Sequence, residues 1–348
     1  MTKMKLFSFR PLLRDMVGEL LYQVGLTKPT QAGNHYFTIV TFHRVLPENQ
    51  LKSYPLAEIA VTPEELAWFI KVLVTYFTCG PLAKNLARWQ TGEKTKHPLL
   101  AITFDDGQLD NFLYAKPILE AAGIRASFFV VVNNIEHDEM LWHDRLAYAL
   151  SRAVEQDANI TDQLLSQLGI ATTTATPRQL IINVVEQAKT LTPAQRLEWM
   201  SLLEDAVGGP VCPAWDGMMN WKQLQELVQD GHEIGSHSMS HPILPGCSED
   251  QIFDEVNQSR QILQARLNIP VESFCYPNGN YDTRTLKALQ QAGYHQAVTT
   301  QWGPNKLGTS LFTLRRCDIQ SQHTRSRTGH LSVSRLAWRL SRFHPPVH

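Results

Sequence analysis

Apolar positions fall into short continuous runs separated by segments with helical spacing. YFTIVTFHRV reads as a strand centred on Ile39, Val40 and Phe42. PLLAITFDDG is a second apolar run that ends abruptly in polar residues, and ASFFVVV is a third. Between them, Asn111 to Ala122 has helical spacing and stops at Gly123. Trp221 to Val228 is helical and leads through Gly231 into the short strand HEIGSH. Asp250 to Arg266 is helical, SFCYP a strand, Thr283 to Ala292 a helix, and HQAVTT and LFTLRRCDI further strands. Unbroken apolar strands alternating with helices imply a parallel sheet covered on both faces, an α/β architecture. The stretch from about 145 to 213 departs from this rhythm. It is rich in Gln, Leu and Ala, offers no convincing strand, and reads as a helical insertion of the kind that walls a site.

The two ends differ from the middle. Leu12, Leu13, Met16, Leu20 and Leu21 recur at helical spacing, so residues 1–33 are expected to hold an amphipathic helix. Arg10, Arg14, Asp15 and Glu19 interrupt any run resembling a secretory signal, which favours a cytoplasmic location, with the inner membrane face as an extension of it. From Ile319 to His348 there is no acidic residue, while Arg325, Arg327, Arg335, Arg339 and Arg342 are interleaved with Leu331, Leu336, Trp338, Leu340 and Phe343. Residues 319–348 therefore form a basic tail suited to anionic lipid or a polyanionic saccharide, or simply to solvent.

Composition excludes several classes. With 348 residues, 43% hydrophobic and 19% charged, the chain is a folded globular protein rather than a disordered one. Its net charge of −1 gives no electrostatic footprint for nucleic acid. No apolar run approaches the ~18 residues of a membrane-spanning helix. Five scattered cysteines, without a CxxC, support neither a disulfide framework nor a cysteine zinc site.

Three motifs carry chemistry, each at the end of a strand-like run. In TFDDG, Asp105 and Asp106 follow four apolar residues, and two charged groups are tolerated there only at a strand end, paired or metal-bound. In HSMSH, His237 and His241 are four residues apart and meet on one face if the segment makes a helical turn. In FCYPNGNY, a turn after the strand can aim backbone N–H groups into a cleft. Each motif alone is weak; their order and spacing are specific.

That combination, with F-H-R-V upstream, DDGQLDN, A-S-F-F-V and W-K-Q-L, resembles the polysaccharide deacetylases of the NodB-homology group, carbohydrate esterase family 4, from about Phe37 to Asp318. The resemblance implies a distorted (β/α) barrel of about seven strands over 34–318, with the site at the carboxyl ends of the strands. It implies that Asp106, His237 and His241 hold a divalent metal, usually zinc. It makes Asp105 the general base and the backbone N–H of Asn278 an oxyanion donor. Cys275 stands where the family commonly has an Arg that orients the base, so Arg315 or Arg316 is the candidate replacement. The family's histidine acid has no good copy here. His43 is the first substitute, His295 the second, and His323 a poorer one. Trp142, Trp215, Trp221 and Trp302 are candidates to line a saccharide groove, and Asp144 with Arg145 to mark the entrance to the insertion.

The expected function is metal-dependent removal of N-acetyl groups from an amino-sugar glycan or glycan precursor, with peripheral membrane contact through the chain ends. The alternatives are a related hydrolase of small linear or cyclic amides, and a glycan-binding protein with a decayed site.

Overall fold

A computed structural model describes residues 9–28, 35–135, 139–170 and 176–344. Seven strands form the centre: β1 (Tyr36–Phe42), β2 (Leu99–Phe104), β3 (Ser127–Val130), β4 (Glu233–Ser236), β5 (Ser273–Cys275), β6 (Gln296–Trp302) and β7 (Leu314–Asp318). All pair in parallel and in chain order, and β7 returns to β1 through Val40 opposite Cys317, closing a barrel. The seven-stranded (β/α) barrel expected from the resemblance is the fold observed.

Strand alternation sorts the side chains. Phe37 and Ile39 of β1, Leu99 and Ala101 of β2, Phe129, Cys275, Val298 and Leu314 pack into one cluster inside the barrel. Their neighbours Val40, Phe42, Ile102, Phe104, Phe128 and Phe274 face outward into the larger core beneath the surrounding helices. Phe42, Phe104 and Phe128 stack in series there, with ring centroids 5.5 and 5.1 Å apart. Helix Pro63–Tyr76 covers this face; its Thr62–Glu65 capping box is a start signal plain in the sequence, although the helix escaped the periodicity reading.

The barrel is distorted at its amino end. A short strand, Thr78–Gly80, pairs with the first half of β2, while β3 pairs only with its last two residues. Helix Leu82–Gln90 fills the resulting gap and inserts Leu82, Leu86 and Trp89 among the lumen residues. Its first N–H groups are held by the barrel itself. Leu82 N donates to Ser127 Oγ at 2.7 Å and Ala83 N to Glu233 Oε2 at 2.9 Å. Burial pushes the Glu233 carboxyl up, only partly offset by donation from Ser273, Ala83 N and Ser127.

The stretch after β3 forms four helices, Trp142–Gln156, Ala158–Gln167, Pro177–Ala188 and Pro193–Ala206, around their own cluster of Leu146, Leu150, Ile181, Val184 and Leu203. It is tied to the barrel through buried Arg44. That guanidinium meets Asp110 at 2.6 Å and Asp144 at 2.9 Å, and donates to the Trp215 carbonyl. Tyr54 completes the tie with a 2.7 Å bond to Asp144. Asp144 is thus a buried anchor rather than a surface marker, and Arg145 pairs with Glu204 inside the insertion.

At the chain ends, helix Phe9–Gln23 lies beside helix Val333–Leu340, joined by Arg335 to Asp15 at 3.1 Å. Leu336 and Leu340 are buried in the main core, so this part of the basic segment is folded onto the barrel rather than frayed. Among the described residues, no helix is long and apolar enough to cross a membrane.

Candidate active site

The carboxyl ends of the strands deliver polar residues to one opening because the inward-facing alternation of each strand continues past its last apolar member. On β2 the inward series Leu99, Ala101, Thr103 reaches Asp105. On β7 it runs from Leu314 to Arg316. Arg316 grips Asp105 with two terminal nitrogens, Nη1 to Oδ1 and Nη2 to Oδ2, both at 2.7 Å. Both residues are almost fully buried, and Arg316 also donates to Thr41, Thr103 and the Thr299 carbonyl. Cys275 leaves room for this reach from across the barrel. Its Sγ lies 3.5 Å from Asp105 Oδ2 and 3.3 Å from Arg316 Nη2. Arg315, the other candidate, points outward and is exposed.

Asp106 turns away from Asp105 because the chain bends there, with φ of 76° at Asp106 and 79° at Gly107. Its Oδ1 lies 3.4 Å from His237 Nε2 and 3.6 Å from His241 Nε2. The histidines meet without a helical turn, contrary to the spacing-based expectation. His237 directly follows β4, and a loop with positive φ at Ser238 and His241 folds the second imidazole back to a centroid distance of 4.7 Å. Glu255, from helix Glu249–Leu267, holds that loop by accepting from Met239 N and Ser240 N at 2.8 and 2.9 Å. The His237 Nδ1 donates a 2.7 Å hydrogen bond to the Cys275 carbonyl, which orients the ring with its Nε2 toward Asp106.

These donors suit a metal ion. One carboxylate oxygen and two imidazole nitrogens, all buried, lie within 4.8 Å of one another. A second group, Asp105 with His237 and Cys275, is equally compact. It is the poorer fit, since both Asp105 oxygens are engaged by Arg316 and burial pushes the Cys275 thiol up.

The fold and this geometry agree with what the chain is similar to. Residues 92–297 match the family model described as polysaccharide deacetylase, well over half of the chain. This chain belongs to the polysaccharide deacetylase family. It is 21% identical over 244 residues to the Bacillus subtilis protein YxkH, spanning 70% of this chain and 59% of that one. It is also 25% identical over 79 residues to a peptidoglycan-N-acetylglucosamine deacetylase of Bacillus cereus, 23% of this chain and 36% of the relative. Among solved structures, the Streptococcus pyogenes deacetylase PplD, in complex with acetate, superposes with a TM-score of 0.57 at 17% identity, over 88% of this chain and 98% of that one. IcaB from Ammonifex degensii gives 0.53 at 16% identity, over 87% and 96%. These likenesses establish the barrel as the deacetylase fold.

The deacetylase-type site opens into a cavity of about 390 Å³. Asp105, Asp106, His237, His241, His43 and Asn278 all line it. His43 Nε2 lies 3.6 Å from Asp105 Oδ2. Asn278 has φ 55° in the turn Pro277–Gly279, and among the described residues nothing accepts from its N–H. Gly279 is required in that turn, since a Cβ there would collide with Thr300. His295 is displaced from the site altogether: it precedes β6, at the amino end of the barrel, exposed and 3.3 Å from Glu272. His323 lines the cavity.

Trp142 and Trp302 line the cavity, and Trp142 Nε1 donates to the His241 carbonyl at 3.1 Å. Trp215 instead packs under Arg44 and Tyr54, and Trp221 against the main core. His143, unremarked in the sequence, stands 5.3 Å from the His241 ring in the cavity wall. The insertion contributes Ile182, Val185, Glu186 and Lys189.

Charge divides the two carboxylates. Burial raises the pKa of Asp105, but the Arg316 guanidinium more than offsets this and holds it below the usual carboxylate range. Burial opposes ionisation of Asp106 too, yet the facing imidazoles hold it well below that range. Both are therefore anions at neutral pH, one committed to an arginine on a rigid strand and the other to the imidazoles.

Proposed function

We propose that this protein removes acetyl groups from an N-acetylated amino-sugar glycan or glycan precursor, with zinc held by Asp106, His237 and His241. The observation that carries this reading is the division of labour between adjacent carboxylates: Asp106 faces the imidazoles, while Asp105 is kept ionised by Arg316 and faces the same cavity. Zinc at that group would supply Lewis-acid polarisation of the acetyl oxygen and acidify water. Asp105 accepts the proton of the attacking water, and Arg316 keeps its carboxylate oriented and charged until then. The Asn278 N–H donates to the oxygen that becomes negative as the carbonyl carbon turns tetrahedral. His43, close to Asp105, protonates the amine as it leaves. The curated relatives are matched over only part of their length, so their substrates guide the choice of assays and nothing more.

The deciding experiment is incubation of the zinc-loaded protein with acetylated amino-sugar oligomers, followed by mass spectrometry and acetate release. Stoichiometric acetate and free amine are expected. Release from small linear or cyclic amides alone, or from nothing despite full metal loading, would overturn the reading.

A further inference from the structure

A second cavity adjoins the active-site cavity. Two residues that line the active-site cavity, His323 and Arg339, also line this apolar space of about 520 Å³, walled by Leu13, Val17, Leu21 and Trp338 between the two terminal helices. The side chains where the two cavities adjoin carry unused donors. Arg339 is only 8% exposed and sits over Trp302, its guanidinium carbon 4.2 Å from the ring centroid. Arg339 Nη2 reaches the Asp318 carbonyl at 3.3 Å, but its Nε has no partner among the described residues. The same holds for Trp302 Nε1 and His323 Nδ1. A guanidinium, an indole and an imidazole leaving donors unmatched in one place complement an anion with several acceptor oxygens. The carboxylate of Asp318, which also faces the cavity, is engaged by Gln320 at 2.5 Å.

Beside the second cavity, the helix Phe9–Gln23 is docked the wrong way round for a core helix. Asp15 and Tyr22 make its contacts with the body, through Arg335 and Tyr76. Leu13, Val17, Leu20 and Val24 follow one another along a single face, and are 63%, 45%, 62% and 58% exposed. Arg325 and Arg335 of the basic segment are paired with Glu65 and Asp15, while Arg327 and Arg342 are exposed; an exposed apolar stripe packed beside such a segment is the pattern of a surface that rests on lipid.

Building on the deacetylase reading, we propose that the substrate is an N-acetylated amino sugar joined through phosphate to a lipid and presented from a membrane surface. The sugar enters the cavity at Asp105 and Asp106. The phosphate seats on Arg339, His323 and Trp302. The lipid chain leaves through the apolar cavity between the terminal helices, whose exposed stripe lies on the bilayer.

The test compares three substrates of the zinc-loaded full chain. They are N-acetylglucosaminyl phosphoryl polyprenol in neutral phosphatidylcholine vesicles, soluble N-acetylglucosamine 1-phosphate, and a neutral N-acetylglucosamine oligomer. The lipid-linked sugar is expected to have the highest kcat/KM, by roughly 10-fold or more over either soluble compound. Arg339→Gln should cut that advantage over the neutral oligomer by roughly 10- to 100-fold, as expected for loss of a charged hydrogen bond. A Met16→Gln, Leu20→Gln, Val24→Gln variant alters exposed apolar residues that do not line the second cavity, and so tests the membrane contact even if Arg339→Gln fails to fold. It should no longer sediment with the vesicles and should lose the preference for the lipid-linked sugar. A neutral oligomer that is the best substrate overturns this inference while leaving the deacetylase reading intact. Equal use of the soluble sugar phosphate overturns the lipid part. No acetate from any of the three overturns the deacetylase reading itself.

Discussion

Arg316 and Asp105 are separated by 211 positions in the chain, yet two parallel hydrogen bonds of 2.7 Å join them across the mouth of the barrel. The family commonly supplies this guanidinium from the strand that here ends in Cys275. In this chain it comes from β7, and the small thiol of Cys275 packs beside the pair. The bidentate geometry fixes the carboxylate plane as well as its charge.

Replacing Arg316 by Gln leaves Asp105 buried without its cation, and its pKa rises. Because the base must be ionised, the acid limb of the kcat/KM profile should move to higher pH. Stability should fall by about 3–5 kcal/mol, the typical result of breaking a buried pair. Arg316→Lys should restore part of the charge effect without the two-point grip. Titration of activity against pH, with denaturant midpoints for the three proteins, checks both. An acid limb that stays in place would mean that Arg316 does not tune Asp105.

Asp105→Asn keeps the shape and removes the proton acceptor. A fall in kcat of roughly 10²- to 10⁴-fold is expected. Zinc content by elemental analysis should remain near that of the parent, since the carboxylate belongs to Arg316. Zinc loss in this variant would favour the alternative group of Asp105, His237 and Cys275.

His237→Ala removes one of the three donors around Asp106. Zinc measured after gel filtration should drop below a tenth of the parent's content, given the roughly 10- to 100-fold loss of affinity that even outer partners cause. A fully loaded variant would remove His237 from the ligand set.

The tie between barrel and insertion makes Arg44→Met costly. It strands Asp110 and Asp144 in the core, where removal of one partner of a buried pair is worth about 3–5 kcal/mol. Activity should fall with it, because the insertion that walls the cavity loses its anchor. Urea denaturation and limited proteolysis of the insertion would register both effects.

Acid sensitivity has a separate source at His232, below the site. Its Nδ1 accepts from Ala126 N at 3.1 Å, and burial, helped by Arg125, pushes its pKa down to about 4 from 6.5. A folded value below the unfolded one means that the unfolded chain takes up the proton first. The contribution of His232 is therefore complete above pH 6.5 and is lost as pH falls toward 4, on the order of 2 kcal/mol after allowance for screening. His232→Gln, which keeps an acceptor for Ala126, should flatten the stability difference between pH 7 and pH 5 measured by urea midpoints. An unchanged slope would place the acid sensitivity elsewhere.

Much of the barrel could be read from the chain because its rules are local. Apolar runs of strand length alternate with helical periods, and helix Thr283–Ala292 has the bounds its spacing predicts. TFDDG, HSMSH and FCYPNGNY mark the strand ends, and it is their combined resemblance to the polysaccharide deacetylases that singles out Asp105, Asp106, His237, His241 and Asn278. The helix Leu82–Gln90 was not legible in the same way. Nothing in LAKNLARWQ distinguishes a helix on the outside of a barrel from one that enters it. Likewise, Asp144 and Arg145 are adjacent candidates for the entrance to the insertion in sequence, although Asp144 is the buried partner of Arg44 and the half-buried Arg145 pairs with Glu204.

By itself the amino-acid sequence determined the periodicities, the strand ends and the residue types gathered there, since these depend on neighbours a few positions away. Tertiary structure alone decided which arginine meets Asp105, how a loop rather than a helix brings His241 back to His237, and which tryptophans reach the cavity. The first and last of these depend on the closure of β7 against β1 and on the stagger between strands, which bring together residues far apart in the chain, whereas the short span from His237 to His241 is shaped by positive φ at Ser238 and His241 and by the hold of Glu255.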